Sequence, residues 1–314
     1  MHDLPQLYQK PTASALLDTL ALLSLEPSAF AIRNDSSQPQ IDEQGIPRYL
    51  TSIVASNLAW IADDDVKESI WSAASTRLSE RSGRSAMPDL TRTFAVDDRI
   101  AFHLREPSLT GDNLGLKTWT SSLLLSKRLP DLRKYIVDHR SKVLELGSGT
   151  GLVGMAAACA WKVPVLLTDL PEIVPNLQHN LQLNRDLIEE NGGSAAARQL
   201  DWADERDVPQ DDEDKFMVIL AADPIYSDDH PRILAHTVHR WIHPDPGARF
   251  IVELPLRDRY DEERQSLRDN LRKEGFHMIA QGHDVGHDDW RGRDGTLAEV
   301  HCWWSVWQLV SIST

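Results

Sequence analysis

The stretch VLELGSGTGLVG, residues 143–154, limits the possible folds of this chain more than any other feature of its sequence. An apolar run suited to a short buried strand leads into alternating glycines, and a small-residue apolar stretch of helical character follows at once. Glycine suits such a turn because the backbone must bend sharply and let a ligand approach without a Cβ in the way. The pattern therefore predicts a strand–turn–helix unit of an α/β sheet, with a ligand site at the turn.

The glycines alone do not identify the ligand, since dinucleotide-binding domains, phosphate loops and plain tight turns all use them. The glycines alternate, which only approximates the dinucleotide spacing, and no G-K-[ST] follows, which excludes a Walker-type phosphate loop. Asp169 comes after the next predicted strand, 20 residues beyond Gly149. A nucleoside-binding fold places an acid there for the ribose hydroxyls, and the alternative is a cap for the turn at residues 170–172.

From residue 142 strands and helices alternate, which predicts a Rossmann-like, seven-stranded, doubly wound α/β sheet. The last two strands have no full helix between them and fit a terminal antiparallel hairpin. A short hairpin and an amphipathic helix are expected before the sheet, at residues 91–104 and 116–129. The expected strands are 143–146, 163–168, 195–200, 216–221, 249–253, 276–281 and 300–310, and the expected helices are 152–161, 174–184, 232–241 and 261–273.

The chain divides into a helical N-terminal extension, residues 1–89, and the sheet domain, residues 90–314. Apolar spacing in the extension predicts helices at 13–25, 47–60 and 64–78. A polar segment at 34–44 is expected to be a surface loop, and residues 79–89 are expected to be the linker.

The net charge of −15 argues against a nucleic-acid partner, because phosphate binding normally requires a basic face. Lys127, Arg128, Arg133 and Lys134 are nevertheless clustered. There is no apolar run of about 18 residues and no secretory signal at residues 1–10, and the chain has only two cysteines. We therefore expect a reduced, soluble protein of the cytoplasm, with the nucleus left open.

Four ordered motifs resemble the seven-β-strand lysine methyltransferases called methyltransferase family 16, and most of all the fungal elongation-factor lysine methyltransferases. The motifs are VLELGSGTGLVG, LLTDLPEIVPNLQHNLQLN, QLDWAD and LAADPIYSDDHP, and the resemblance covers residues 90–309. It implies S-adenosyl-L-methionine as the cofactor and a monomeric enzyme that methylates a lysine of a protein substrate, expected to be a translation elongation factor.

The resemblance also implies roles for individual residues. Asp223 and Tyr226, in Asp-Pro-Ile-Tyr, match an acid-x-x-aromatic motif at the methyl-transfer face and are the expected catalytic residues. The residues that match cofactor-contacting positions are Trp119 before the sheet, Gly147, Ser148 and Gly149 beneath the methionine moiety, Asp169 at the ribose, Trp202 beside the adenine, and Ala222 on the fourth strand.

Several of these assignments have alternatives. Trp119 and Trp202 also fit ordinary core packing, and Asp223 fits a capped turn. Glu145 would contact the cofactor's amino group or hold the glycine turn through backbone N–H groups. His283 and His287 have a composition suited to metal binding, but they lack the H-E-x-x-H arrangement, so a polar loop and no metal are expected.

Other functions stay open at this point. Ile225 replaces the proline of the Asn/Asp-Pro-Pro-Tyr run typical of adenine and glutamine methyltransferases, which speaks against a planar amide substrate. A methyltransferase for a small molecule or RNA, and a binding protein that has lost catalysis, remain the alternatives.

Overall fold

The computed structural model describes residues 4–24, 45–81, 89–108, 114–136, 142–257, 260–291 and 297–310. They belong to two compact units, one of Met1–Leu90 with Pro107–Leu114 and the other of Thr91–Glu106 with Gly115–Thr314. The expected loop at 34–44 and most of the expected linker lie outside the described residues. The division at residues 89 and 90 stays a prediction.

The N-terminal unit contains helices α1 (Ala13–Leu22), α2 (Ile46–Val54) and α3 (Asp64–Ser79). Their buried faces form one apolar cluster that includes Leu16, Leu50 and Ile70. The helix expected at 47–60 ends early, at Val54. The side chains of residues 56 and 57 accept hydrogen bonds from nearby backbone N–H groups, which compete with the helical pattern.

The second unit is built on a seven-stranded sheet of β3 (Val143–Leu146), β4 (Pro164–Asp169), β5 (Ser194–Gln199), β6 (Val218–Ala222), β7 (Arg249–Pro255), β8 (Phe276–Arg291) and β9 (Leu297–Leu309). The strand order is β5-β4-β3-β6-β7-β9-β8. Five strands are parallel, β9 pairs antiparallel with β7, and β8 pairs antiparallel with β9, which confirms the predicted fold class with its terminal antiparallel hairpin. The chain order reverses between β3 and β6, the kind of position where ligands bind in open α/β sheets.

Helices cover both faces of this sheet: α4 (Thr120–Leu132), α5 (Leu152–Trp161), α6 (Val174–Leu183), α7 (Arg185–Glu190), α8 (His230–Trp241) and α9 (Asp261–Lys273). On one face, α8 and α9 pack over a core that includes Leu144, Phe250 and Trp307. On the other face, α5 approaches the sheet at Gly154, beside Leu167. None of the helices in the described part of the chain combines the length and the apolar character needed to cross a bilayer.

Asn180 in α6 and Asn184, the residue that caps the end of α6, hold the short hairpin that precedes the sheet, formed by β1 (Leu90–Ala95) and β2 (Ala101–Glu106). Asn184 accepts from the N–H of His103 at 2.9 Å and donates to its carbonyl at 2.8 Å. Asn180 accepts from the N–H of Arg105 at 2.8 Å and donates to its carbonyl at 3.2 Å. Because residues four apart share one helix face, the two amides satisfy successive outward-facing backbone groups of β2.

The segment QGHDVGHDDW is strand, so the expectation of a polar loop after residue 281 is wrong. An ideal Cβ at Gly282 would lie 2.6 Å from the Trp304 ring, and one at Gly286 would lie 2.6 Å from Thr120. These glycines therefore allow close packing and do not form turns. His283 and His287, four residues apart, lie about 13 Å from each other along a strand. No group of three or more potential metal ligands occurs among the described residues.

Candidate active site

The glycine turn between β3 and α5 has a backbone that only glycine adopts readily. Gly147, Gly149 and Gly151 have φ angles of +68°, +55° and +91°. An ideal Cβ at Gly149 would lie 2.8 Å from the carbonyl oxygen of Gly115, and one at Gly151 would lie 2.6 Å from Leu177. Positive φ and lack of space together account for the alternating glycines of the sequence motif.

Ser148 and Thr168 join the ends of β3 and β4. The N–H of Ser148 donates to the carbonyl of Thr168 at 3.0 Å, and the N–H of Thr168 donates to Ser148 Oγ at 3.0 Å. The Thr168 hydroxyl donates to the carbonyl of Glu145 at 2.6 Å. These bonds fix the turn against the strand that ends at Asp169.

Asp169 binds the glycine turn directly. Its Oδ2 accepts from the N–H of Gly149 at 2.7 Å, and its Oδ1 accepts from the N–H of Leu170 at 2.8 Å. Burial raises the pKa of Asp169 to about 6, although both N–H groups oppose that shift. Each carboxylate oxygen can accept a second hydrogen bond, so lone pairs remain for ribose hydroxyls. The contact with Leu170 is the turn-capping alternative, and the ribose contact stays a prediction.

Glu145 lies in the interior beneath the same turn. It is 2% exposed, and its Oε2 accepts from the N–H of Gly154 at 3.0 Å. Burial raises the pKa of Glu145 to about 8, so the carboxyl is protonated at neutral pH. The backbone contact of Glu145 is with the first turn of α5, and its role at the glycine turn itself stays a prediction. Its contact with the cofactor stays a prediction.

Three aromatic side chains lie next to one another beyond the carboxyl ends of β5 and β6. The Trp202 ring lies 3.2 Å from the place of an ideal Cβ on Gly147. The His230 ring lies 6.0 Å from Trp202 and 4.2 Å from Tyr226, close to perpendicular to each. Burial lowers the pKa of His230, which keeps the ring neutral at pH 7. His230 was not assigned a role from sequence, although it belongs to the LAADPIYSDDHP motif.

Asp223 follows β6 directly and has an unusual backbone. Its φ is +51°, and its N–H donates to the carbonyl of Glu253 at 2.9 Å. The carboxylate is 10% exposed and lies 3.7 Å from the guanidinium of Arg257. Burial raises the pKa of Asp223 to about 6, while Arg257 opposes the shift. Strained backbone conformations of this kind are concentrated at functional sites in proteins. Ala222, just before it, ends β6 and is 8% exposed.

A buried polar chain positions the segment that carries Trp119. Arg92 pairs with Glu106 at 2.9 Å, and Glu106 Oε1 accepts from the N–H of Thr118 at 2.8 Å. The Thr118 hydroxyl lies 2.7 Å from that of Thr150, in the glycine turn. Trp119 comes next, and the Arg257 guanidinium lies 5.3 Å from the centre of its ring. No local sequence pattern predicted this series of buried polar contacts.

The sequence-predicted residues therefore converge at the carboxyl ends of β3, β4, β5 and β6. A cavity of about 640 Å³ lies instead at the amino ends, beside Lys142, Pro164 and Ser194. We assign the site to the carboxyl ends, because ligands of open α/β sheets bind there. The residues present fit S-adenosylmethionine: glycines leave the turn without a Cβ, Asp169 has free lone pairs, and an indole faces the first glycine.

Sheet order, glycine turn and strand-end acid define a Rossmann-like enzyme that binds a nucleoside cofactor. A model of a family described as lysine methyltransferase matches residues 100–270. Protein-lysine N-methyltransferase rrg1 of Schizosaccharomyces pombe is 33% identical, over 98% of this chain and 97% of that protein. Protein-lysine N-methyltransferase EFM2 of Saccharomyces cerevisiae is 36% identical, over 77% of this chain and 61% of that protein. EEF1A lysine methyltransferase 3 of Mus musculus is 28% identical, over 66% of this chain and 87% of that protein.

The chain belongs to this lysine methyltransferase family. It is therefore an enzyme that takes its methyl group from S-adenosylmethionine, as the resemblance of the motifs implied. The roles of the single residues are not decided by family membership and stay predictions.

Proposed function

We propose that this chain methylates a lysine of a protein, and that the protein is a translation elongation factor. The observation that carries the lysine assignment is the buried, acidic end of β6, where Asp223 offers a carboxylate to a cation. The names of relatives from Mus musculus and Xenopus tropicalis, EEF1A lysine methyltransferase 3, support the elongation factor. The net charge of −15 suits a basic partner. We also propose that the enzyme is a monomer and acts in the cytoplasm.

We assign the methyltransferase domain to residues 90–314 and treat residues 1–89 as an extension. Within the domain, the turn at Gly147, Ser148 and Gly149 would lie beneath the methionine moiety. Asp169 would hold the ribose through lone pairs that the backbone contacts leave over. The side chains expected to line the rest of the cofactor are Trp202 at the adenine, Glu145 at the amino group, Trp119 and Ala222.

A lysine substrate must first lose a proton. Its ammonium has a pKa of about 10.4, so at pH 7 roughly one molecule in 2,500 is neutral, which corresponds to about 4.6 kcal/mol. Asp223 receives and orients the ammonium from within a nearly buried position. Burial and the neighbouring charges of Asp169, Glu172 and Asp223 raise the pKa of Tyr226. Its phenol therefore stays neutral and can hydrogen-bond the nitrogen.

The bound cofactor supplies an electrophilic methyl group on a sulfonium. Asp223 and Tyr226 would hold the neutral amine with its lone pair directed towards that methyl group, and the proton lost by the ammonium would pass to solvent. The protein contributes proximity and orientation, which are worth several kcal/mol. Tyr226, 49% exposed, forms one wall of the entrance for the lysine.

The test uses the full chain, labelled S-adenosylmethionine and purified eukaryotic elongation factor 1A, with fractionated lysate in parallel. Label on a lysine of the elongation factor supports the whole proposal, and label on another protein overturns the elongation factor alone. Label only on RNA or small molecules, or on nothing, overturns lysine methylation of proteins. Asp223→Asn should reduce transfer at least about a hundredfold. The matched control is Asp98→Asn in the exposed hairpin turn, which should leave transfer unchanged.

A further inference from the structure

We propose that the side chain of Arg257 occupies the place of the substrate ammonium in the free enzyme and has to leave before a lysine binds. This inference rests on the proposed function. It adds a residue that sets the affinity for the substrate lysine, at a position that sequence reasoning did not single out.

The geometry around Arg257 is that of a cation held by an acid and an aromatic ring. Its guanidinium lies 3.7 Å from Asp223 Oδ2, and the same group lies 5.3 Å from the centre of the Trp119 ring. A lysine ammonium delivered to the methyl-transfer face requires a carboxylate and an aromatic wall of this kind. Arg257 therefore already fills the environment that the substrate cation needs.

The contact of Arg257 is loose enough to be exchanged. Its side chain is 42% exposed, and 3.7 Å is longer than a charge-assisted hydrogen bond. In the same unit Arg92 and Glu106 approach to 2.9 Å with side chains 5% and 10% exposed. An exposed, poorly aligned pair contributes little stability, and so it opposes displacement only weakly.

Substrate and Arg257 compete because Asp223 is a single carboxylate in a nearly closed position. It is 10% exposed, so an ionised form needs a cationic neighbour. Two cations within a few ångströms repel each other, and the arrival of the lysine ammonium therefore drives the guanidinium outward. A neutral substrate side chain that displaced Arg257 would leave the ionised Asp223 without a neighbouring cation. The exchange therefore favours a cationic substrate.

The competition lowers the apparent affinity for substrate by the fraction of enzyme in which Arg257 is in place. Removing the guanidinium should therefore lower the KM for the acceptor protein and leave kcat nearly unchanged. A residue that only oriented Asp223 or Trp119 would behave differently, since its removal would lower kcat or raise KM.

The test compares steady-state methyl transfer by wild type, Arg257→Gln and Arg257→Lys, with Arg257→Met as a second neutral variant. We expect Arg257→Gln and Arg257→Met to lower the acceptor KM about threefold to tenfold, with kcat within twofold of wild type. Arg257→Lys, which keeps a cation, should lie closer to wild type. Arg206→Gln removes an exposed arginine from its pair with Asp204 and should change neither constant.

A small cation gives a second measurement. Ethylguanidinium should inhibit Arg257→Gln competitively against the acceptor and inhibit wild type less, because the vacated place is open only in the variant. Calorimetry with S-adenosylhomocysteine checks that each variant is folded. An acceptor KM that is unchanged or raised in both neutral variants, or equal inhibition of variant and wild type, overturns the role of Arg257. Absence of lysine methylation by wild type overturns the proposed function instead.

Discussion

Replacing Glu145 with glutamine tests whether a neutral carboxyl supports the glycine turn. Glu145 is 2% exposed and accepts from the N–H of Gly154. Glutamine has nearly the same shape and retains an oxygen that accepts this bond. It has no proton to lose, so the substitution isolates the free energy of ionising a buried acid.

The sign follows from the raised pKa of Glu145, about 8 in the folded protein against an ordinary value of 4.5. Between these values the folded state keeps a proton that the unfolded state has released, so stability falls as pH rises. The slope is about 1.4 kcal/mol per pH unit for one group, which gives a loss of about 3 kcal/mol by pH 7. Asp169 and Asp223, each with a pKa of about 6, change the free energy of unfolding mainly below pH 7.

The assay is urea unfolding of the full chain at pH 6, 7 and 8, followed by tryptophan fluorescence. We expect the free energy of unfolding of Glu145→Gln to gain on wild type by about 1.4 kcal/mol between pH 6 and 7, and by less between pH 7 and 8, where Glu145 of the folded protein begins to ionise. Any fixed difference from amide packing leaves this slope unchanged. The matched control is Glu205→Gln, which changes an exposed glutamate in the same way. An equal difference at pH 6 and pH 8 would refute the assignment of a buried neutral acid.

Three further substitutions test the packing around the site. Gly154→Ala places a Cβ 2.6 Å from Glu145 Oε2 and should lower the free energy of unfolding by about 1–3 kcal/mol, whereas an unchanged urea midpoint would contradict such close packing. Asn180→Ala removes bonds to both backbone groups of residue 105 and should cost about 2 kcal/mol and speed amide exchange there, while Asn191→Ala, which loses one bond at a helix end, should cost much less. Trp202→Leu should weaken S-adenosylhomocysteine binding about tenfold in calorimetry without lowering the melting temperature, and unchanged binding would remove Trp202 from the adenine site.

Elements with strong local patterns agreed between sequence and structure. The apolar run, the alternating glycines and the following helix of residues 143–161 were expected in the places where β3, the turn and α5 lie. The helix expected at 261–273 matches α9, whose acidic first turn and basic last turn complement the helix dipole. In these elements, residues that are close in sequence provide most of the interactions that set the local structure.

Elements whose form depends on distant residues were missed or misjudged. The glycines at 282 and 286 suggested a loop from the sequence. In the structure they are needed because residues 304 and 120 pack against them, and no local sequence pattern shows these contacts. Asn180 and Asn184 had no assigned role because the backbone groups that they satisfy belong to β2. His230 was missed for the same reason, since its partners meet it only after folding.

By itself, the amino-acid sequence determined the sheet architecture, the glycine turn and the family, because hydrophobic period, glycine spacing and the order of motifs are properties of the linear chain. Only the tertiary structure decided that Glu145 is a buried neutral acid under the turn and that Arg257 lies between Asp223 and Trp119. Burial and charge proximity depend on parts of the chain far apart in sequence. They arise only when the ends of several strands meet at one edge of the sheet.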